Sequence, residues 1–313
     1  MQHLGRLIVA SILTVAPLTS ADAQQSTPAA AQNPSPMVER TRPHERLAPR
    51  EQGGTLRAIA GLTGLPVELW IPDGTAGRDA IDLVVHFHGA SWLPMQAVAE
   101  LPEPTLAAVV NLGTGSGAYH RAFADAANFD SLLTRIERET SAVLKTPARI
   151  RSVILVGFSA GHGAVRAILF DPRHSARVDA VLLLDGLHTS YIPERRVLAD
   201  GGALDTTNLV ALADFARRAM RGEKRLVVTH SEIFPGTFAS TTESADWMLA
   251  SLGLRRTPVL AWGPRGMQQT SEARAGGFEL LGFAGNSAPD HVDHLHAFPE
   301  LLAFLVRPAL TPD

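Results

Sequence analysis

The chain places a serine between small residues, Gly157-Phe158-Ser159-Ala160-Gly161, where the apolar run at 152–156 (SVILV) gives way to a helical pattern at 164–170. A serine hydroxyl attacks a carbonyl at neutral pH only when a neighbouring base takes its proton. The geometry that presents it is a strained turn from strand to helix. G-x-S-x-G suits that turn, because larger side chains at 157 or 161 would clash where strand and helix approach. The bare pattern arises by chance in chains rich in Gly and Ser, as an ordinary turn with a spectator serine. The strand before it and the helix after it raise it above chance. The chemistry on offer is acyl transfer through an oxyanion.

That chemistry needs a base and an acid to orient it. Twelve histidines compete for the first role, and they are densest in Asp290-His291-Val292-Asp293-His294-Leu295-His296. Asp185 closes the apolar run at 178–184 (VDAVLLL), so its carboxylate projects from a strand end. An aspartate there can also be purely structural, bonding loop amides. Glu232, in Thr229-His230-Ser231-Glu232, follows the next apolar run and is the other candidate acid.

The elements that must position these groups alternate between strand and helix. Short apolar runs at 55–60 and 67–71 around Gly-Leu-Pro predict an antiparallel opening hairpin. Buried-type strands are expected at 81–86, 106–112, 152–156, 178–184, 225–229 and 277–283. Helical patterns fill 121–144, 164–170, 208–220, 244–252 and 292–306. Continuous Val/Leu/Ile strands between helices predict a mostly parallel sheet covered on both faces, a three-layer α/β fold. Sites in such folds lie at the carboxyl ends of the strands.

From Gly53 onward the chain resembles the α/β-hydrolase family, the serine esterases and lipases among them. The resemblance rests on the antiparallel start, the strand that runs into His88-Gly89-Ala90, the Ser159 elbow, and a histidine ahead of the last helix. It implies that the backbone amides of Ala90 and Ala160 hold the oxyanion. It also implies the order serine, acid, histidine, which restricts the base to His291, His294 or His296. His291, at the loop–helix junction, is preferred over His294, a turn further on, and His296 is expected to cap or pack at the surface. The family more often draws its acid from the later strand, which favours Glu232. Some members use the earlier one, and Asp185 is ranked first. The expected site is therefore Ser159, His291 and Asp185.

Other constellations have plainer explanations. His86 and His88 face one way on a strand and with His291 and His294 could be imagined around a metal, but the H-x-H lacks the further Asp-His of metallohydrolases. No metal and no cofactor is called for. Gly113-Thr114-Gly115-Ser116-Gly117-Ala118 mimics a dinucleotide loop, yet follows an interior strand with no acidic strand end after it. Trp92, Tyr119, Tyr191, Phe234 and Phe238 are expected on loops, where they would line an acyl or alcohol pocket or merely pack.

Composition and the N-terminus bound the setting. With 31 acidic against 28 basic residues and a net charge of −3, the chain has no basic face for nucleic acid. The absence of cysteine excludes thiol catalysis and disulfides. Residues 1–23 read as a signal peptide, with an apolar core at 7–18 and Ala21-Asp22-Ala23 as the cleavage site. Residues 24–52, rich in Pro, Ala, Gln and Ser, read as a flexible tether, and 53–313 as a catalytic domain. The expectation is a periplasmic or secreted serine hydrolase without integral membrane association, acting on a small-molecule or polymer-linked ester. The alternatives are an amidase or peptidase with the same machinery, and a non-catalytic ligand- or cell-wall-binding member of the fold.

Overall fold

A computed structural model describes residues 43–78 and 80–306. The expected signal peptide lies outside the described residues. Ten strands form one sheet: β1 (Gly54–Ile59), β2 (Val67–Pro72), β3 (Ala80–Phe87), β4 (Thr105–Val110), β5 (Arg149–Phe158), β6 (Ala180–Leu184), β9 (Arg225–His230), β10 (Thr257–Trp262), β11 (Gln268–Ala275) and β12 (Phe278–Phe283). The order across it is β1-β2-β4-β3-β5-β6-β9-β12-β11-β10. The block from β4 to β12 is parallel, and both flanks are antiparallel. A separate small ribbon pairs β7 (Tyr191–Ile192) with β8 (Ala203–Leu204).

The central strands carry consecutive apolar residues through their middles because both faces are covered. Alternate residues of one strand feed two separate cores: Val153 and Leu155 of β5 enter one, Ile154 and Val156 the other. On the first face pack α2 (Ser116–Phe123), α3 (Ala126–Leu144), α4 (His162–Phe170), α6 (Val210–Met220) and α7 (Thr241–Leu252). A short helix, α5 (Pro172–Arg177), follows α4. On the second face pack α1 (Trp92–Ala99), α8 (Ala288–His296) and α9 (Phe298–Val306). This is the three-layer α/β architecture the sequence pattern predicts.

The differences from expectation are local. The pattern at 121–144 is broken at Asp125, whose side chain accepts from the Ala127 amide and caps α3. The final helix is likewise split at Ala297. Strands β10 and β11 carry no apolar alternation: β10 is the exposed edge strand, where it tolerates Pro258, and β11 lies next to it with mostly half-buried residues. Part of the stretch expected to be a tether is held: the Leu47 amide donates to His296 Nδ1 at 3.0 Å, and Arg46 Nε to Asp293 at 3.2 Å. Among the described residues no helix is long and apolar enough to cross a membrane.

Candidate active site

Three adjacent strands, β3, β5 and β6, each end on or next to a non-glycine residue in left-handed backbone: His88 (φ 74°), Ser159 (φ 47°) and Asp185 (φ 43°). Such conformations cost of order 1–3 kcal/mol each and cluster at functional sites. At Ser159 the strain comes from a sharp reversal: β5 ends at Phe158, a single 3₁₀ turn spans Ser159–Gly161, and α4 begins at His162. The small neighbours are sterically required. A Cβ on Gly161 would collide with the Phe87 carbonyl, and one on Gly163 with the Ser116 carbonyl.

Asp185 is buried and fully partnered. Its Oδ1 accepts from the Ser231 amide (2.9 Å) and the Thr241 hydroxyl (2.9 Å). Its Oδ2 accepts from the Ser231 hydroxyl (2.8 Å) and from His291 Nδ1 (2.7 Å). Burial by itself would raise its pKa, but the imidazoles of His294 and His291 and these hydrogen bonds outweigh burial and hold the carboxyl well below its usual range.

His291 sits in the first turn of α8, which a reciprocal Ser287–Asp290 capping box starts at a fixed place. A carboxylate only accepts, so His291 Nδ1 carries the proton and Nε2 is left as the acceptor. The ring stacks on Phe158, with centroids 4.7 Å apart and planes 28° apart. Ser159, Asp185 and His291 line one cavity of about 230 Å³, mostly apolar, with Ile233, Pro235 and Phe238. A second cavity, of about 450 Å³, shares Ser159, His188 and Phe238 with the first. It also reaches Ala160, His162, Arg166 and the Thr114-Gly115-Ser116 loop.

The alternative residues are elsewhere. His294 is buried, bonds the Thr229 hydroxyl through Nδ1 (2.8 Å) and meets Phe283 edge-on, and burial lowers its pKa. Glu232 is exposed, and its amide donates to the Gly285 carbonyl. Neither lines either cavity. His296 is mostly buried, its Nδ1 accepting from Leu47 rather than capping at the surface. His86 donates to the His88 carbonyl (2.7 Å) and stacks on Phe298, while His88 Nδ1 accepts from the Tyr119 hydroxyl (3.0 Å). Neither belongs to the group of three convergent side chains among the described residues whose spacing could hold a metal ion, which is His44, Asp290 and Asp293. Ala160 lines the second cavity. Ala90 is exposed and follows Gly89, whose amide and carbonyl are both paired with the Asn111 side chain at 3.0 Å.

Of the candidate aromatics, Phe238 lines both cavities. Trp92 and Tyr119 are helical, Tyr191 is in β7 with its hydroxyl bonded to Glu243, and Phe234 is exposed. Sequence patterns do not pick out Ser231, Thr241, His188 and Arg166. Thr241 lies inside a visible Ser240-x-x-Glu243 capping signature, which marks a helix start without revealing that its hydroxyl reaches Asp185.

No family model matches the sequence, and no curated protein matches it. Solved structures do resemble the fold. A thermophilic esterase from the Planctomycetes species Thermogutta terrifontis shares 15% identity over 81% of this chain and 92% of that one, with a TM-score of 0.45. A carbohydrate esterase from gut microbiota shares 9% identity over 82% of this chain and 97% of its own, with a TM-score of 0.46. The enterobactin esterase of Shigella flexneri shares 13% identity over 83% of this chain but 60% of its own, with a TM-score of 0.46.

Proposed function

We propose that the protein is a serine hydrolase of the α/β-hydrolase type that cleaves a carboxylic ester through an acyl-enzyme. The observation that carries this reading is the 2.7 Å Asp185–His291 hydrogen bond in a cavity walled also by the strained Ser159. In the proposed route His291 Nε2 takes the Ser159 proton as the hydroxyl oxygen attacks the ester carbonyl. The Ala160 and Ala90 amides stabilise the oxyanion, a contribution of about 3–4 kcal/mol per donor. The imidazolium, stabilised by Asp185, then protonates the leaving alkoxide. Water activated by the same nitrogen hydrolyses the acyl-enzyme.

The leaving oxygen must come within reach of His291, so the alcohol part occupies the apolar cavity that contains this histidine. The acyl part extends into the larger one. No step requires a metal or cofactor. The motif at 21–23 supports export with cleavage after Ala23, a tether from residue 24, and action in the periplasm or outside the cell. N-terminal sequencing of the exported protein checks that cleavage. A fluorophosphonate probe should label Ser159, and Ser159→Ala should abolish both labelling and ester turnover. Labelling at another residue overturns the assignment.

A further inference from the structure

The larger cavity holds a cation that the catalytic steps do not use. Arg166 lies on α4, and its Nε is shielded from solvent with no hydrogen-bond partner. Among the described residues no carboxylate oxygen comes within 4.0 Å of its guanidinium. Asp205, the acid whose charge it feels, is already engaged by Thr207 and by Asn208. Shielding a guanidinium N–H from water without a partner is costly unless something else supplies the acceptor.

One end of the wall is electropositive too. Thr114-Gly115-Ser116 opens α2, whose cap gives no side-chain hydrogen bond and whose first turn holds no acidic residue, so its amide end is uncompensated. His162 is 5% exposed, and its Nδ1 donates to the Ser159 carbonyl at 2.8 Å. Burial first, then the neighbouring His188 and Arg166, pushes this imidazole down to about 3, so it is neutral and adds no charge to the wall. Arg166 follows Ser159 by about 10 Å along the helix axis, and helical side chains lean back toward the N-terminus. A short chain therefore spans from the acylated serine to the guanidinium.

We infer that the acyl part of the substrate ends in a carboxylate bound by Arg166, so that the enzyme prefers half-esters of short dicarboxylic acids to neutral esters of equal length. This deepens, and rests on, the esterase reading above. Arg166 would be a specificity-determining residue: its fork of donors suits a carboxylate, and the cavity's polar wall suits a hydrated anion.

The decisive pair is mono-4-nitrophenyl glutarate against 4-nitrophenyl valerate. Wild-type kcat/KM should favour the glutarate by about 10- to 100-fold, the range for hydrogen bonds to charged groups. Arg166→Met should erase that preference, and Arg166→Lys should restore part of it. An unchanged ratio in Arg166→Met, or a wild-type preference for valerate, overturns the inference. So does an Arg166-dependent preference for 4-acetoxybenzoate over 4-methylphenyl acetate, which would put the anion on the alcohol side.

A binding readout separates this inference from the reading beneath it. Ser159→Ala titrated calorimetrically should bind monomethyl glutarate more tightly than dimethyl glutarate, and adding Arg166→Met should remove the difference. If no ester is cleaved but this binding persists, the esterase reading falls and the anion subsite stands. If esters are cleaved without an anion preference and the two ligands bind alike, the subsite falls and the esterase stands.

Discussion

Asp185 and Arg166 each share a cavity wall with Ser159, both are charged and partly or wholly withdrawn from water, and the fold treats them in opposite ways. Asp185 receives four hydrogen bonds from Ser231, Thr241 and His291. Arg166 has a shielded Nε with no partner at all among the described residues. Under the proposed function the contrast separates two tasks. A group that orients a base must be fixed before substrate arrives, so the protein satisfies it internally. A group that recognises substrate must stay incomplete, so that binding finishes what folding left open.

The severest way to test this division is to remove what both flanks serve. Ser159→Ala and His291→Ala should each lower kcat by about 10⁴- to 10⁶-fold while far-UV circular dichroism stays unchanged, because members of such a unit fail together. A variant with near-wild-type turnover would dissolve the site on which the comparison rests.

Next in size is the contrast between the two acids. Asp185→Asn keeps the shape but offers His291 Nδ1 an ambiguous partner, and kcat should fall by about 10⁴-fold through loss of the correct tautomer. Glu232→Gln, at an exposed side chain outside both cavities, should change kcat by less than about threefold. Reversed results would move the acid to the later strand and leave the four donors on Asp185 a purely structural device.

The sequence made this flank legible and the other one not. Ser159 was visible because an elbow demands small residues at fixed offsets, and Asp185 because a charged residue closing VDAVLLL has few reasons to be there. His291 and His294 differ by one helical turn in sequence, and it is packing that separates them: His294 faces Thr229 and Phe283 inside the core, while His291 bonds Asp185. Ser231 and Thr241 come from different elements, and nothing local in either predicts a shared carboxylate. Arg166 looks like any polar residue in an amphipathic helix, since its missing partner is a property of the surrounding space. The same limit hid β10, the exposed edge strand, and β11 beside it, whose mostly half-buried residues leave QQTSEARA without alternation.

Acid should strike the imidazoles before it reaches Asp185. Burial lowers His86 and His162 to about 3 and His230 to about 4, against 6.5 when unfolded. The unfolded chain therefore binds more protons between those values, so stability is complete above pH 6.5 and is lost progressively as pH falls toward 3. Each histidine should withdraw about 2 kcal/mol by pH 5, at about 1.4 kcal/mol per unit. The Asp185 contribution follows the same rule with a lower onset, present above 3.8 and lost only below it. Thermal melts from pH 7 to pH 5 should show a steady fall in Tm. A flat profile would mean that these rings already exchange protons with solvent in the folded state.

The smallest effect carries the comparison's sign. Arg166→Met keeps a long unbranched stem that can follow the same path along α4, and removes a guanidinium whose Nε the fold leaves unsatisfied. If Arg166 is kept for recognition, its loss should cost no stability and should gain up to about 1 kcal/mol, the exchange expected where function holds a group against the preference of the fold. Differential scanning calorimetry at pH 7.5 should then place Tm at or as much as about 4 °C above wild type. A drop of similar size would show that the guanidinium is bonded within the folded chain. The two charges beside Ser159 would then be held by the same internal logic, and the division between positioning and recognition would fail.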